Sequence, residues 1–70
     1  MSQIILPSIS DRERQVLKLI ANEYTSREIA SMLFISNHTV ISHRKSMMTK
    51  WQVSNVAGLV RVGFQEGILQ

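Results

Sequence analysis

Between Ser36 and Trp51, four polar residues, His38, Ser42, Lys45 and Thr49, recur every three or four positions. At about 100° per residue that spacing lines one side of a helix with an imidazole, two hydroxyls and an ammonium group. Their chemistry is hydrogen bonding and charge recognition. No nucleophile, base and carboxylate set accompanies them, and the chain has no glycine-rich phosphate loop, so no enzyme is expected. Val40, His43, Met47 and Trp51 fall on the opposite side as a stripe suited to a core, with Ile41 at the edge of the outward face. Met and Trp at helical spacing ordinarily fill a core, so no small-molecule pocket is expected there. His43 is read as packed between helices in preference to reading a ligand.

The elements that must hold this helix can be read from their ends. Ser36 is suited to cap it, accepting from a first-turn N–H such as that of Thr39, which predicts a helix over 37–51. Earlier, Ser10-Asp11-Arg12-Glu13 and Thr25-Ser26-Arg27-Glu28 are capping boxes, in which a hydroxyl and a glutamate three residues on satisfy each other's backbone N–H groups. They predict helices near 11–22 and 26–33. Val16, Leu17, Ile20 and Ala21 mark the inward side of the first, with Ile9 as a staple on Arg14 or Val16; Ile29, Ala30 and Leu33 mark the second. The short link through Phe34 and Ile35 to Ser36 has the length of a helix-turn-helix connection, and no residue in it is expected to need positive φ. After Val53, Ser54 is placed to cap a fourth helix near 55–66, with Val56, Leu59, Val60, Gly63 and Phe64 as its core stripe and Ala57, Gly58, Arg61 and Val62 as a small outer surface. Gly67 should end that helix and let Ile68 and Leu69 fold back. The fold class is therefore all-α, a four-helix bundle-like domain containing a helix-turn-helix. Residues 1–8 form an N-terminal arm, because Pro7 disfavours helix before it, and 9–70 form the domain. Ile4, Ile5 and Leu6 are expected to fold back onto the core.

A chain of 70 residues without cysteine has no disulfide or thiolate zinc site to staple it, so a helical core or association must stabilise it. His38 and His43 point differently and lack further ligands, and no metal or cofactor is expected. No apolar run approaches the length of a bilayer span, and Met1-Ser2-Gln3 lacks a positive leader region; the expected location is the cytoplasm, at the nucleoid. Charge is unevenly placed. Residues 1–28 balance four cations with four anions, residues 29–65 carry Arg44, Lys45, Lys50 and Arg61 with no acid, and Glu66 follows, leaving a net +3. A polyanion suits such a patch, as does plain solvation of a charged helix face.

These features coincide with a known pattern. Ile9-Ser10, Arg12-Glu13-Arg14, Val16-Leu17, Ile20-Ala21, Glu28-Ile29-Ala30, Leu33, Ile35-Ser36, Thr39-Val40, His43, Lys50, Val53 and Gly67-Ile68-Leu69 stand in one register over residues 9–69. In them the chain resembles the LuxR-type (GerE-like) helix-turn-helix DNA-binding domains, as in NarL/FixJ-class response regulators. It departs where Glu23 replaces the usual Gly, which predicts that a neighbour such as Asn22 turns left-handed. It departs again at Ile41, commonly Lys, at Val56, often Arg, and at Trp51, usually Leu.

The resemblance implies sequence-specific binding of double-stranded DNA by a bacterial transcription regulator or its output domain. A helix-turn-helix lays its second helix in the major groove, where His38, Ile41, Ser42 and Lys45 are the candidates for base contact. Lys45 can donate to guanine O6 or N7, and Ile41 suits a thymine methyl, so a half-site mixing G and T is expected. The resemblance implies phosphate contacts at or near Arg27, Thr39, Val40, Arg44 and Lys50; the outward Thr49 is added to them. Four to six neutralised phosphates would give a log–log salt slope of roughly −4 to −5. Helix four, through Ala57, Gly58, Arg61 and Val62, is expected to join two copies as a homodimer on half-sites, a role the resemblance also implies. RNA polymerase and a related regulator are further candidate partners. The alternative reading is a protein-interaction module that heterodimerises with a related regulator and binds DNA poorly.

Overall fold

The computed structural model describes residues 6–70, in which four helices succeed one another: α1 (Asp11–Ala21), α2 (Ser26–Leu33), α3 (Asn37–Trp51) and α4 (Val56–Gln65). The first three begin where their caps place them. Ser10 N–H donates to Glu13 Oε1 at 2.7 Å and Glu13 N–H to Ser10 Oγ at 3.1 Å. Thr25 and Glu28 repeat the exchange at 2.9 and 3.2 Å. Ser36 Oγ accepts from Thr39 N–H at 3.0 Å. Each cap satisfies N–H groups that the first turn of a helix leaves unpaired. Helix α4 departs by one residue: Asn55, not Ser54, caps it, its Oδ1 accepting from Gly58 N–H at 2.8 Å.

The turns differ more. Asn22 stays at φ −90° and Glu23 itself turns left-handed, at φ 67°. The hydrogen bonds explain this: Glu23 N–H reaches Ile20 O and Tyr24 N–H reaches Leu19 O, at 2.9 and 3.2 Å, a Schellman closure whose left-handed position falls on the residue after the cap. Asn22 instead uses its side chain, Nδ2 donating to Lys18 O at 2.9 Å. The link between α2 and α3 also contradicts expectation. Phe34 adopts φ 57° and ψ 42°, which lets Ile35 N–H close back on Ala30 O at 3.0 Å and turns the chain sharply enough for Ser36 to cap α3.

Helix α3 packs on all three others, whereas α2 and α4 share no packed interface among the described residues. Its Val40, Met47 and Trp51 sit in one core with Val16, Leu17, Ile29 and Leu59. Ile9 joins that core and Leu6 lies against it, while Ile4 and Ile5 fall outside the described residues. Completely burying a side chain such as Met47 contributes roughly 1.5–3 kcal/mol, so this stripe holds α3 rigidly.

Helix α4 is rotated from its expected setting. Val62, read as outer surface, is only 4% exposed, and Phe64, read as core, is 53% exposed. Gly58 is half-buried against the preceding loop, since a Cβ there would meet Val53 Cβ at 3.1 Å. The cause is the close approach at Gly63, where a Cβ would lie 2.7 Å from Leu69 Cδ1 and 3.1 Å from Leu17 Cδ2. Beyond Gly67 at φ 78°, Ile68 and Leu69 donate their N–H groups to Gly63 O at 3.0 and 3.1 Å. Leu69 thereby enters the core over a residue with no side chain to obstruct it.

Candidate nucleic-acid interface

With Val40, Met47 and Trp51 facing inward, helical geometry requires the opposite side of α3 to face outward. His38, Ser42, Lys45 and Thr49 are all exposed, and Ile41 is half-buried at their margin. The outward face thus combines an ammonium group, an imidazole, two hydroxyls and one apolar edge on a helix with little freedom to move. Such a face can donate to acceptors, place an alkyl group on a methyl and attract negative charge.

The residues expected at phosphates divide differently. Arg27 is exposed in the first turn of α2. Thr39 is half-buried beside the α3 cap, its hydroxyl 2.8 Å from Ser36 Oγ. Arg44 is half-buried and reaches across to α2, Nη1 donating to Ser26 Oγ at 2.7 Å. Val40 does not belong to this surface: it is completely buried and its N–H is bonded to Ser36 O at 3.2 Å. His43 is half-buried, at the edge of the core stripe and not within it.

Lys50 is turned away to α1, its Nζ 2.8 Å from Glu13 Oε1. Sequence spacing identified Glu13 as a capping residue and missed this second role. Its side chain is 4% exposed against 36% for Lys50. Burial pushes the Glu13 carboxyl up, but the Lys50 hydrogen bond, the Ser10 N–H, the Ser46 side chain and the Lys50 charge outweigh it, holding the pKa at about 2 against the ordinary 4.5. Ser26 and the carbonyl of Pro7, which accepts from Trp51 Nε1 at 3.1 Å, were likewise silent in the sequence. Their partners lie 18 and 44 positions away, beyond any local spacing rule.

Away from this face, an open groove of about 360 Å³ runs between the ends of α1 and α4, walled by Lys18, Asn22, Phe64 and Leu69. It shares no residue with α3. Among the described residues no group of three or more His, Cys, Asp or Glu could hold a metal ion, and no helix is long and apolar enough to cross a membrane.

Comparison with known proteins converges on one family. The family model described as "Bacterial regulatory proteins, luxR family" matches residues 7–62. The response regulator protein TodT of Pseudomonas putida is 46% identical over 55 residues, 79% of this chain and 24% of that protein. A putative transcriptional regulator of Pseudomonas aeruginosa is 41% identical over 56 residues, 80% of this chain and 27% of that protein. The chain thus spans about a quarter of the length of these curated relatives. The solved structure of the transcription factor GerE superposes with a TM-score of 0.85 at 27% identity, covering 89% of this chain and 92% of that one.

Proposed function

Because the chain belongs to the luxR family of bacterial regulatory proteins and carries its DNA-binding helix-turn-helix, we propose that α3 lies in the major groove of double-stranded DNA and reads its sequence. One observation carries this reading: His38, Ser42, Lys45 and Thr49 are exposed on a helix whose reverse side is buried through Val40, Met47 and Trp51. Side chains meant to discriminate bases need that rigidity, because a good bidentate contact contributes only about 1–3 kcal/mol and a loose one less. Lys45 donates to a guanine edge, Ile41 meets a thymine methyl, and His38 and Ser42 supply adaptable hydrogen bonds. Arg27, Thr39, Arg44 and Thr49 hold the phosphates on either side, which sets register without reading sequence.

One domain of this size has a small footprint, so two copies on half-sites one helical turn apart, or a multiple of it, bind usefully where one does not. The surface that joins them is the outward stripe of α4, where Ala57, Arg61 and Phe64 are exposed and Val60 is half-buried. The same stripe would pair this chain with a related regulator, and sizing with and without duplex separates the two arrangements. Action in the cytoplasm at the nucleoid, and contact with RNA polymerase there, belong to the same reading. Selection of bound sites from random duplex at two salt concentrations tests it. Enrichment of a paired motif containing G and T, with affinity falling steeply in salt, is the expected result; no enrichment over the starting pool would count against it.

A further inference from the structure

Three side-chain hydrogen bonds among the described residues join distant parts of the chain, and α3 supplies the donor of each: Arg44 to Ser26, Lys50 to Glu13 and Trp51 to Pro7. Two of these donors are cations, and their partners treat them unlike one another. Ser26 offers a neutral hydroxyl, so Arg44 keeps its whole charge. Glu13 offers a carboxylate, and the pair is the one ion pair among the described residues. That carboxylate cannot follow Lys50 outward: it is nearly inaccessible, and the oxygen that accepts from Lys50 also accepts from Ser10 N–H at 2.7 Å. Moving Lys50 to a phosphate would strand a buried charge, which is strongly unfavourable.

We infer that Glu13 is a positioning residue for DNA recognition, holding the last turns of α3 against α1 through Lys50, and that Lys50 adds no charge to the DNA-facing set. The inference rests on the DNA reading above and refines it. Thr49 adjoins Lys50 and Lys45 stands about one and a half turns before it, so the pair fixes how far that end of the outward face projects. A cation count alone would have credited Lys50 to the phosphate contacts; its geometry gives it to the protein.

The test measures affinity against salt on two duplexes, one selected by the unmodified chain and one of random sequence and equal length. The proteins are the unmodified chain, Arg44→Met, Lys50→Arg and the double variant Glu13→Gln with Lys50→Met, which removes both charges and so leaves none buried alone. Circular dichroism at the assay temperature establishes that each is folded. Arg44→Met should lower the magnitude of the salt slope by about 0.9, the contribution of one neutralised phosphate. The folded double variant should keep the original slope while its preference for the selected duplex falls by about tenfold, as for one weakened base contact. Lys50→Arg, which can keep the ion pair, should retain the preference. A slope lowered by about 0.9 in the double variant would mean that Lys50 does neutralise a phosphate, and an unchanged preference would mean that the pair positions nothing; either overturns the inference while leaving the DNA reading intact. An unmodified chain that selects no duplex overturns both.

Discussion

Lys50 Nζ lies 2.8 Å from Glu13 Oε1, joining the end of α3 to the first turn of α1. One carboxylate therefore caps a helix and clamps the helix that presents the outward face. Local helix formation and the setting of the outward face of α3 share an atom, and disturbing that atom should be felt in both.

Stability should fall with acid. The folded-state pKa of Glu13 is about 2, below its ordinary 4.5, so its stabilising contribution is fully present above about pH 5 and is lost as the pH falls toward 2. The difference corresponds to at most about 3 kcal/mol. Urea unfolding between pH 7 and pH 2.5 should show the loss, and Glu13→Gln should be less stable at pH 7 and flatter across that range. Equal pH dependence in the two proteins would remove Glu13 from the account.

Gly63→Ala should destabilise the domain by about 1–2 kcal/mol even though Ala favours helix, because the added methyl group meets Leu69 and the completely buried Leu17. Thermal melts of Gly63→Ala, Leu69→Ala and the double variant check it. The double variant should be more stable than the sum of the two losses implies, since removing the Leu69 side chain opens the space that the methyl needs.

Phe34→Gly should leave the domain as stable or more stable, by up to about 1 kcal/mol, because a left-handed backbone strains any residue with a Cβ. The ring is 95% exposed, so almost no packing is lost with it. A marked drop in the urea midpoint would show that the ring supports the turn in some other way.

Lys45→Ala should weaken binding to the selected duplex by about 1–3 kcal/mol more than binding to random duplex, the range expected for one base contact. Equal losses on both would reassign Lys45 to a phosphate. Ile41→Lys should change the selected sequence, and an unchanged motif would place Ile41 outside the reading set.

Phe64→Ser should reduce cooperative binding of two copies to paired half-sites while leaving a single half-site bound as before. Phe64 is half-exposed on the stripe with Ala57 and Arg61, so its replacement leaves the core untouched. Gel-shift titrations on one and two half-sites separate these effects, and unchanged cooperativity would move the joining surface elsewhere.

What the sequence alone determined is what short spacing controls. Ser10 with Glu13, Thr25 with Glu28 and Ser36 with Thr39 are each three residues apart, so their hydrogen bonds follow from the first turn of a helix, and the helix starts followed from them. The outward set on α3 was equally legible, because a buried stripe through Val40, Met47 and Trp51 leaves only one side for His38, Ser42, Lys45 and Thr49. Tertiary structure decided whatever depended on how one helix meets another. It exchanged Val62 and Phe64 between inside and outside because Leu69 and α1 close over Gly63, and it put the left-handed turns on Glu23 and Phe34 because the helix-ending bonds close there. It also brought Lys50 within hydrogen-bond reach of Glu13, 37 positions away. Periodicity tells which side of a helix is apolar, but only packing tells which atoms from distant turns arrive within hydrogen-bond reach.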